Sequence, residues 1–406
     1  ADRFEQIIEQ FKISHPDGIQ PENVNYRHQT PDELIVISYT SGTTGFSKGV
    51  MLPQRSLLGN IEFARKFMPM DPGERILSFL PLAHAFGCLV EFVFPFTLGC
   101  HITFLTKTPA PSTITEAFGK VKPNLIPSVP LVIEKIYNGK LRPVVSKPAM
   151  KILLAIPGIR RILLNKIKAK LTETLGGEFR ELVIGGASFN PEAEKFFRQL
   201  RLPFTVGYGM TECGPLISYR GWRTTVFQGC GKIVEQLTLK IASPDPENIS
   251  GEIMVKGGNV MLGYYKNPEA TKAMIDDDGW LHTGDIGTVD KNGNIFIRGR
   301  MKSMILSASG QNIYPEEIEA VLANYRLFLE VLVVERKNKP VALIFPDADY
   351  MKKHGITEEQ LPHKIKEIIK EANHHLASYM RVADFEIMKE EFEKTPKKSI
   401  KRFKYQ

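Results

Sequence analysis

Metal-ligand spacing is missing from this chain: the four cysteines (Cys88, Cys100, Cys213 and Cys230) form no CxxC pair, and the nine histidines no HExxH. A structural metal is therefore not expected. Four scattered cysteines in 406 residues point to reduced thiols in a cytoplasmic compartment and away from a disulfide scaffold. There is no GxSxG nucleophile elbow, no Walker GxxxxGK[ST] loop and no repeat or low-complexity tract. Ala1-Asp2-Arg3-Phe4-Glu5 leads into a polar amphipathic stretch without the apolar centre of a secretory signal. The most apolar window, Gly87 to Leu105, carries Glu91, Pro95 and His101. A charge near a bilayer centre costs about 3 kcal/mol, so buried core segments are expected there and not a membrane span.

Acidic residues are absent from Lys135 to Thr172, where Lys135, Lys140, Arg142, Lys147, Lys151, Arg160, Arg161, Lys166, Lys168 and Lys170 account for more than the whole net charge of +8. Within it, residues 150–154 and 162–167 mix apolar and basic positions at roughly helical spacing. The plainer reading is a solvated helical face with snorkelling lysines. The sharper one is peripheral contact with an anionic membrane surface or with acidic substrates. Nucleic acid is not expected, since the patch lacks interleaved aromatics.

What is present is ordinary globular composition, 43% hydrophobic and 24% charged, at a length that suggests two or three domains. Leu34 to Tyr39 reads as a buried strand, with a helix after Pro53. Glu181-Leu182-Val183-Ile184 reads as a strand closed by Gly185-Gly186, followed by a helix from Pro191 to about Leu200 capped by Asn190. This alternation predicts an α/β fold with largely parallel sheets. From about residue 237 short strands with Gly and Asp punctuation take over (237–241, 252–255, 286–290 and 295–298), a β-rich segment built as a small barrel or distorted sheet. Beyond Gly299-Arg300 the pattern becomes α+β, with a helix from Pro315, strands at 331–334 and 341–345, and a helix over 358–375. The resulting division is 1–236, 237–300 and 301–406.

The strongest chemical signal is Tyr39-Thr40-Ser41-Gly42-Thr43-Thr44-Gly45-Phe46-Ser47-Lys48-Gly49. Glycines let backbone N–H groups approach phosphate oxygens, hydroxyls add hydrogen bonds, and Lys48 supplies positive charge. Gly207-Tyr208-Gly209-Met210-Thr211-Glu212 places a hydroxyl beside a hard carboxylate suited to Mg²⁺. Gly279-Trp280-Leu281-His282-Thr283-Gly284-Asp285 offers a carboxylate matched to two vicinal hydroxyl donors. Pro81-Leu82-Ala83-His84-Ala85-Phe86-Gly87 sets one histidine among apolar residues, where a satisfied core role competes with a functional one.

Together these segments resemble, in order, the motifs of the adenylate-forming (AMP-binding) superfamily, and most closely its long-chain fatty acid–CoA ligases. The resemblance implies a large N-terminal domain of α/β subdomains with a small β-rich subdomain, and a small mobile α+β C-terminal domain. It implies ATP, Mg²⁺ and coenzyme A as cofactors and a fatty acid as substrate. The loop Thr40, Ser41, Gly42, Thr43, Thr44, Gly45 and Lys48 then binds phosphates; Gly186, Ala187, Tyr208 and Gly209 line the adenine site; Thr211 meets the α-phosphate and Glu212 holds Mg²⁺. Asp285 and Arg300 take the ribose, His84 and Phe86 shape the acyl pocket, Lys302 is the hinge, and Gly310 flanks the pantetheine path. The family's C-terminal lysine, three residues before Arg402, is replaced by Ser399, leaving Lys398 as the nearest substitute and Lys401 next. Only 38 residues precede Tyr39, so the resemblance also implies a shortened N-terminal subdomain. Two other readings stay open: an adenylating enzyme with an acceptor other than coenzyme A, and a non-catalytic module that binds nucleotide or acyl chains.

Overall fold

A computed structural model describes residues 2–18, 20, 29–41, 47–145, 147–307, 311–337, 339–394 and 400–406. Strand Leu34–Ser41 pairs antiparallel with Ser47–Pro53, and the short strand Gly263–Tyr264 adds to the other edge of Ser47–Pro53. The expectation of a buried strand at residues 34–39 is corrected here. Leu34 and Tyr39, near the two ends of the strand, are exposed and residues 35–37 only half-buried, since the strand has one lateral neighbour at the sheet edge, and β-branched residues alone do not distinguish an edge from a centre.

Parallel pairing is confined to part of the molecule. Leu125–Ser128, Glu181–Ile184 and Phe204–Val206 form a parallel sheet, and Arg75–Ser78 pairs parallel with His101–Phe104. Helices Pro111–Val121, Pro157–Thr174 and Pro191–Gln199 pack Phe118, Leu171 and Phe197 on that sheet's Leu182, Ile184 and Phe204. The last helix starts where the sequence places it, with the Asn190 side chain accepting from the Glu192 and Ala193 N–H groups.

The β-rich segment is an open four-stranded antiparallel sheet, Leu237–Ala242, Gly251–Gly257, Leu281–Val289 and Ile295–Arg300. The third strand starts at Leu281, earlier than residue 286, so the motif ending in Asp285 lies in the sheet ladder. This segment shares a core with the strands around Val50 through Ile253, Val255, Leu281 and Ile295. Residues beyond 301 close a separate core, with Ile318, Val333, Ile344 and Ile365 at its centre. There, Phe328–Arg336 pairs antiparallel with Lys339–Pro346, which pairs parallel with Asp384–Ile387. The long helix runs Leu361–His374; residues 357–360 form a turn instead, closed by the Gln360 N–H on the Thr357 carbonyl.

The apolar window folds as consecutive short helices, Ala85–Gly87, the π-turn Cys88–Val93 and Phe94–Thr97, then strand His101–Phe104. Among the described residues no helix is long and apolar enough to cross a membrane. Glu91 within the π-turn is fully buried. Its Oε2 accepts from the Ser78 hydroxyl (3.1 Å) and from the N–H groups of Phe79 (3.0 Å) and Leu80 (2.9 Å). Oε1 has no partner among the described residues, and burial pushes the carboxyl up to about 8. Such a group stabilises the fold fully below its unfolded value near 4.5 and loses that contribution as pH rises toward 8, because the unfolded chain releases the proton first. Glu91→Gln, a neutral isostere, is expected to cancel this loss, becoming more stable than wild type above about pH 8 by on the order of a few kcal/mol. Urea unfolding midpoints of both proteins at about pH 5 and pH 8 check it. Parallel pH trends in the two would refute the account.

Candidate active site

Thr40 pairs with Lys48 and Ser41 with Ser47 across the first hairpin, so the sequence motif begins and ends on paired strands. Gly42, Thr43, Thr44 and Gly45 lie outside the described residues, as do Gly310, Lys398 and the side chain of Ser41. Lys48 returns toward the sheet, with Nζ 4.8 Å from the centroid of the Tyr264 ring. The Tyr264 hydroxyl donates to Glu212 Oε1 at 2.7 Å. Glu212 occupies the 3₁₀ turn Thr211–Cys213, whose position is fixed by the Met261 N–H on the Glu212 carbonyl (2.9 Å) and by Gly214 at φ +64°. A Cβ at Gly214 would fall 2.2 Å from Ser56 Oγ, so glycine is required on steric grounds as well as conformational ones. Burial, then the Glu212 charge, push the Tyr264 hydroxyl well above its ordinary range, so it remains a donor.

A second cluster lies beside it. Tyr208, almost wholly buried, donates its hydroxyl to Asp285 Oδ2 at 2.7 Å. Arg300 Nε reaches Asp285 Oδ1 at 2.7 Å, and the two residues are directly paired across neighbouring strands. Both carboxylate oxygens are therefore engaged, while the Arg300 side chain remains 57% exposed. Burial raises the Asp285 carboxyl, and the Arg300 charge and the Tyr208 hydrogen bond oppose that rise. Glu212 and Glu316 raise it further, so the two clusters lie within electrostatic reach of each other.

The Gly185 turn follows strand Glu181–Ile184. Gly185 donates to the Ser128 carbonyl (3.0 Å), and a Cβ there would stand 3.3 Å from the Phe86 ring. Gly186 follows at φ +88°, with Gly186 and Ala187 exposed. Phe86 thus abuts the glycine turn, and His84, two residues earlier, is half-buried. Lys302 is exposed in the 3₁₀ turn Met301–Ser303, whose Ser303 hydroxyl donates to Glu316 Oε1 at 2.6 Å. Lys401 pairs with Glu393 at 2.9 Å in the C-terminal segment. Direct contacts thus join Lys48 to Glu212 through Tyr264, Asp285 to Tyr208 and Arg300, and Phe86 to Gly185.

Tyr264 is the residue that sequence reading missed. Its link to Lys48 and Glu212 depends on strand Gly263–Tyr264 pairing with Val50 and Met51 some two hundred positions earlier. Only the glycine at φ +138° before it, Gly263, hints at a constrained position.

The described residues contain no cluster of three or more metal-binding side chains. Glu212, a buried carboxylate hydrogen-bonded by Tyr264, fits a Mg²⁺ held by a single protein oxygen and by substrate phosphates.

Comparison with known proteins bears on this geometry. The family described as AMP-binding enzyme matches residues 4–265, and the AMP-binding enzyme C-terminal domain matches residues 302–406. The long-chain-fatty-acid–CoA ligase 5 of Rattus norvegicus is 33% identical over 353 residues, covering 80% of this chain and 51% of its own length. The long-chain-fatty-acid–[acyl-carrier-protein] ligase AEE15 of Arabidopsis thaliana is 28% identical, covering 85% of this chain and 56% of its own length. The chain thus spans about half the length of the curated relatives it matches. The anthranilate CoA ligase AuaEII, solved with anthranoyl-AMP, superposes with a TM-score of 0.74 at 21% identity, covering 95% of this chain and 68% of that one.

Proposed function

Because this chain belongs to the AMP-binding enzyme family, we propose that it activates a long-chain fatty acid with ATP as the acyl-adenylate and passes the acyl group to coenzyme A. The fatty acid carboxylate attacks the α-phosphorus and pyrophosphate leaves; the coenzyme A thiol then attacks the acyl carbon and AMP leaves. The observation that carries this reading is the convergence of two prepared carboxylates, Glu212 held by Tyr264 and Asp285 held by Tyr208 and Arg300.

Each group has a role in that chemistry. Asp285 accepts the ribose hydroxyls with Arg300 beside it, and Tyr208 fixes the carboxylate while presenting its ring to adenine alongside Gly186, Ala187 and Gly209. The segment from Thr40 to Lys48 takes the phosphates, and Thr211 bonds the α-phosphate. Glu212 would hold Mg²⁺, which when bound offsets phosphate charge. His84 and Phe86 shape the acyl site, while Lys398, or Lys401 after it, meets the reacting carboxylate. The 301–406 domain turns about Lys302 between half-reactions, bringing Gly310 to the pantetheine path, against the 1–236 and 237–300 segments. Free thiols at all four cysteines fit a cytoplasmic setting.

Labelled pyrophosphate exchange into ATP, with Mg²⁺ and without coenzyme A, tests the first half-reaction. Palmitate is expected to support exchange at least about tenfold better than acetate, since each buried methylene contributes about 0.8 kcal/mol. Equal exchange with both acids would sink the long-chain assignment, and none with any acid would make the chain a binding module. The name of the Arabidopsis relative favours one rival acceptor, a carrier-protein arm. Faster release of adenylate-bound acyl to holo acyl carrier protein than to coenzyme A would select it.

A further inference from the structure

The turn that carries Thr211 and Glu212 is held from outside by a buried amide. Asn60, fully buried, lies in helix Gln54–Phe67, which directly follows the Lys48 strand Ser47–Pro53. Its Nδ2 donates to the Cys213 carbonyl at 3.1 Å and to the Ser56 carbonyl at 2.8 Å, and its Oδ1 accepts from the Leu216 N–H at 2.9 Å. One side chain thus bridges both ends of residues 213–216. Bonds inside the turn are local: the Cys213 N–H donates to the Met210 carbonyl (2.9 Å) and the Gly214 N–H to the Thr211 carbonyl (3.1 Å). They close the turn without fixing it against the hairpin of Lys48, a tie that Asn60 supplies. Asn259, also fully buried, supports it by donating from Nδ2 to the Leu216 carbonyl at 3.1 Å, while the Ser56 hydroxyl donates to the Asn259 carbonyl at 2.8 Å.

The bridge restricts which side chain can make it. A buried carbonyl and a buried N–H three residues apart need a donor and an acceptor on separate atoms of one side chain, which a carboxamide offers and an ionised carboxylate does not. Removing the amide strands both backbone groups at once. Such a cost could belong to any core residue, but the bonded Cys213 carbonyl lies next to Glu212 and two residues from Thr211. We propose that Asn60 is a positioning residue for nucleotide and Mg²⁺, holding the Thr211 hydroxyl and the Glu212 carboxylate in register with the hairpin of Lys48. This rests on the reading of Thr211 as a donor to the α-phosphate and of Glu212 as the Mg²⁺ ligand.

Titration calorimetry of ATP at a series of Mg²⁺ concentrations tests the proposal without calling on turnover. In Asn60→Ala the half-saturating Mg²⁺ concentration is expected to rise about tenfold, while ATP affinity in EDTA changes less than about threefold, because a displaced carboxylate weakens the metal most. Asn60→Asp preserves the shape. Burial against two carbonyl oxygens keeps its carboxyl protonated at about pH 6, where it donates to Cys213 and accepts from Leu216, so the Mg²⁺ requirement should return to within about threefold of wild type. At about pH 9 ionisation removes the donor, and the requirement relative to wild type should climb about tenfold; side chains common to both proteins drop out of that ratio. Should Asn60→Ala not fold, this comparison decides alone. Asn373→Ala is the control for lost stability. In the C-terminal domain that amide bridges the Val382 N–H (2.9 Å) and carbonyl (3.0 Å) in the same manner, and its removal should lower the unfolding midpoint while leaving the Mg²⁺ requirement unchanged. An unchanged requirement in Asn60→Ala, a flat ratio for Asn60→Asp between the two pH values, or an equal rise in Asn373→Ala overturns the proposal. So does wild type that binds ATP without Mg²⁺ dependence. Wild type that binds ATP with Mg²⁺ yet exchanges no pyrophosphate with any acid sinks the ligase reading alone, since the titrations do not depend on turnover.

Discussion

Glu212→Gln is expected to lower palmitate-dependent pyrophosphate exchange by about 10²–10³-fold while leaving the unfolding midpoint nearly unchanged. Glutamine keeps the carbonyl oxygen that accepts the Tyr264 hydroxyl, and the turn around it is fixed by backbone bonds and Gly214, so the geometry survives and only the charge is lost. A lost charge at a magnesium-holding position should also raise the half-saturating Mg²⁺ concentration. Tyr264→Phe removes only the hydroxyl and leaves the ring beneath Lys48, so a smaller loss of about tenfold is expected, with the same direction of Mg²⁺ dependence. In the double variant the losses should not add, because the tyrosine acts through the carboxylate. Full exchange by Glu212→Gln at unchanged Mg²⁺ would remove Glu212 from the phosphate site. Additive losses would mean that Tyr264 acts through Lys48 or by itself.

The contrast between Glu212 and Tyr264 indicates what a sequence can disclose. Glu212, Asp285 and the glycine turn are legible because each lies in a short local pattern whose residue types suit one chemistry. Tyr264 reaches Glu212 through a strand pairing that no local pattern encodes. Burial follows the same division. The run Ile35-Val36-Ile37 states a strand but not its depth, which is set by what covers the sheet, and here one side is left open. Glu181–Ile184 was readable in both respects, since Gly185 ends it and helices on its flank bury every residue. Glu91 shows the opposite case. A carboxylate in an apolar window argues against a membrane span, yet its burial with three donors on one oxygen depends on the Ser78–Leu80 backbone arriving from the preceding strand. The helical spacing of residues 162–167 was readable in the sequence, whereas the inward packing of Leu164, Ile167 and Leu171 depends on the sheet beneath them.

Asp285→Asn should separate ribose recognition from stability. Asparagine preserves an acceptor for Tyr208, and Arg300, left without its counter-charge, is more than half exposed, so water can solvate it and the folding cost should stay below about 1 kcal/mol. The catalytic cost should be far larger, because a carboxylate can accept from both vicinal hydroxyls and a neutral amide, with one acceptor oxygen, cannot. A loss of about 10²-fold in kcat/KM for ATP is expected in the exchange reaction, mostly as a higher KM if the ribose contacts are equal in ground and transition states. Substrate truncation supplies the control. 2′-Deoxy-ATP should be a poor substrate for wild type, yet Asp285→Asn should discriminate little between it and ATP, since the interaction is already lost. Retained discrimination would place the 2′-hydroxyl elsewhere and leave Asp285 as a structural partner of Arg300. A large fall in the unfolding midpoint would lead to the same conclusion by another route, for then the buried Tyr208–Asp285–Arg300 chain would be holding the two strands together and the nucleotide would be incidental to it.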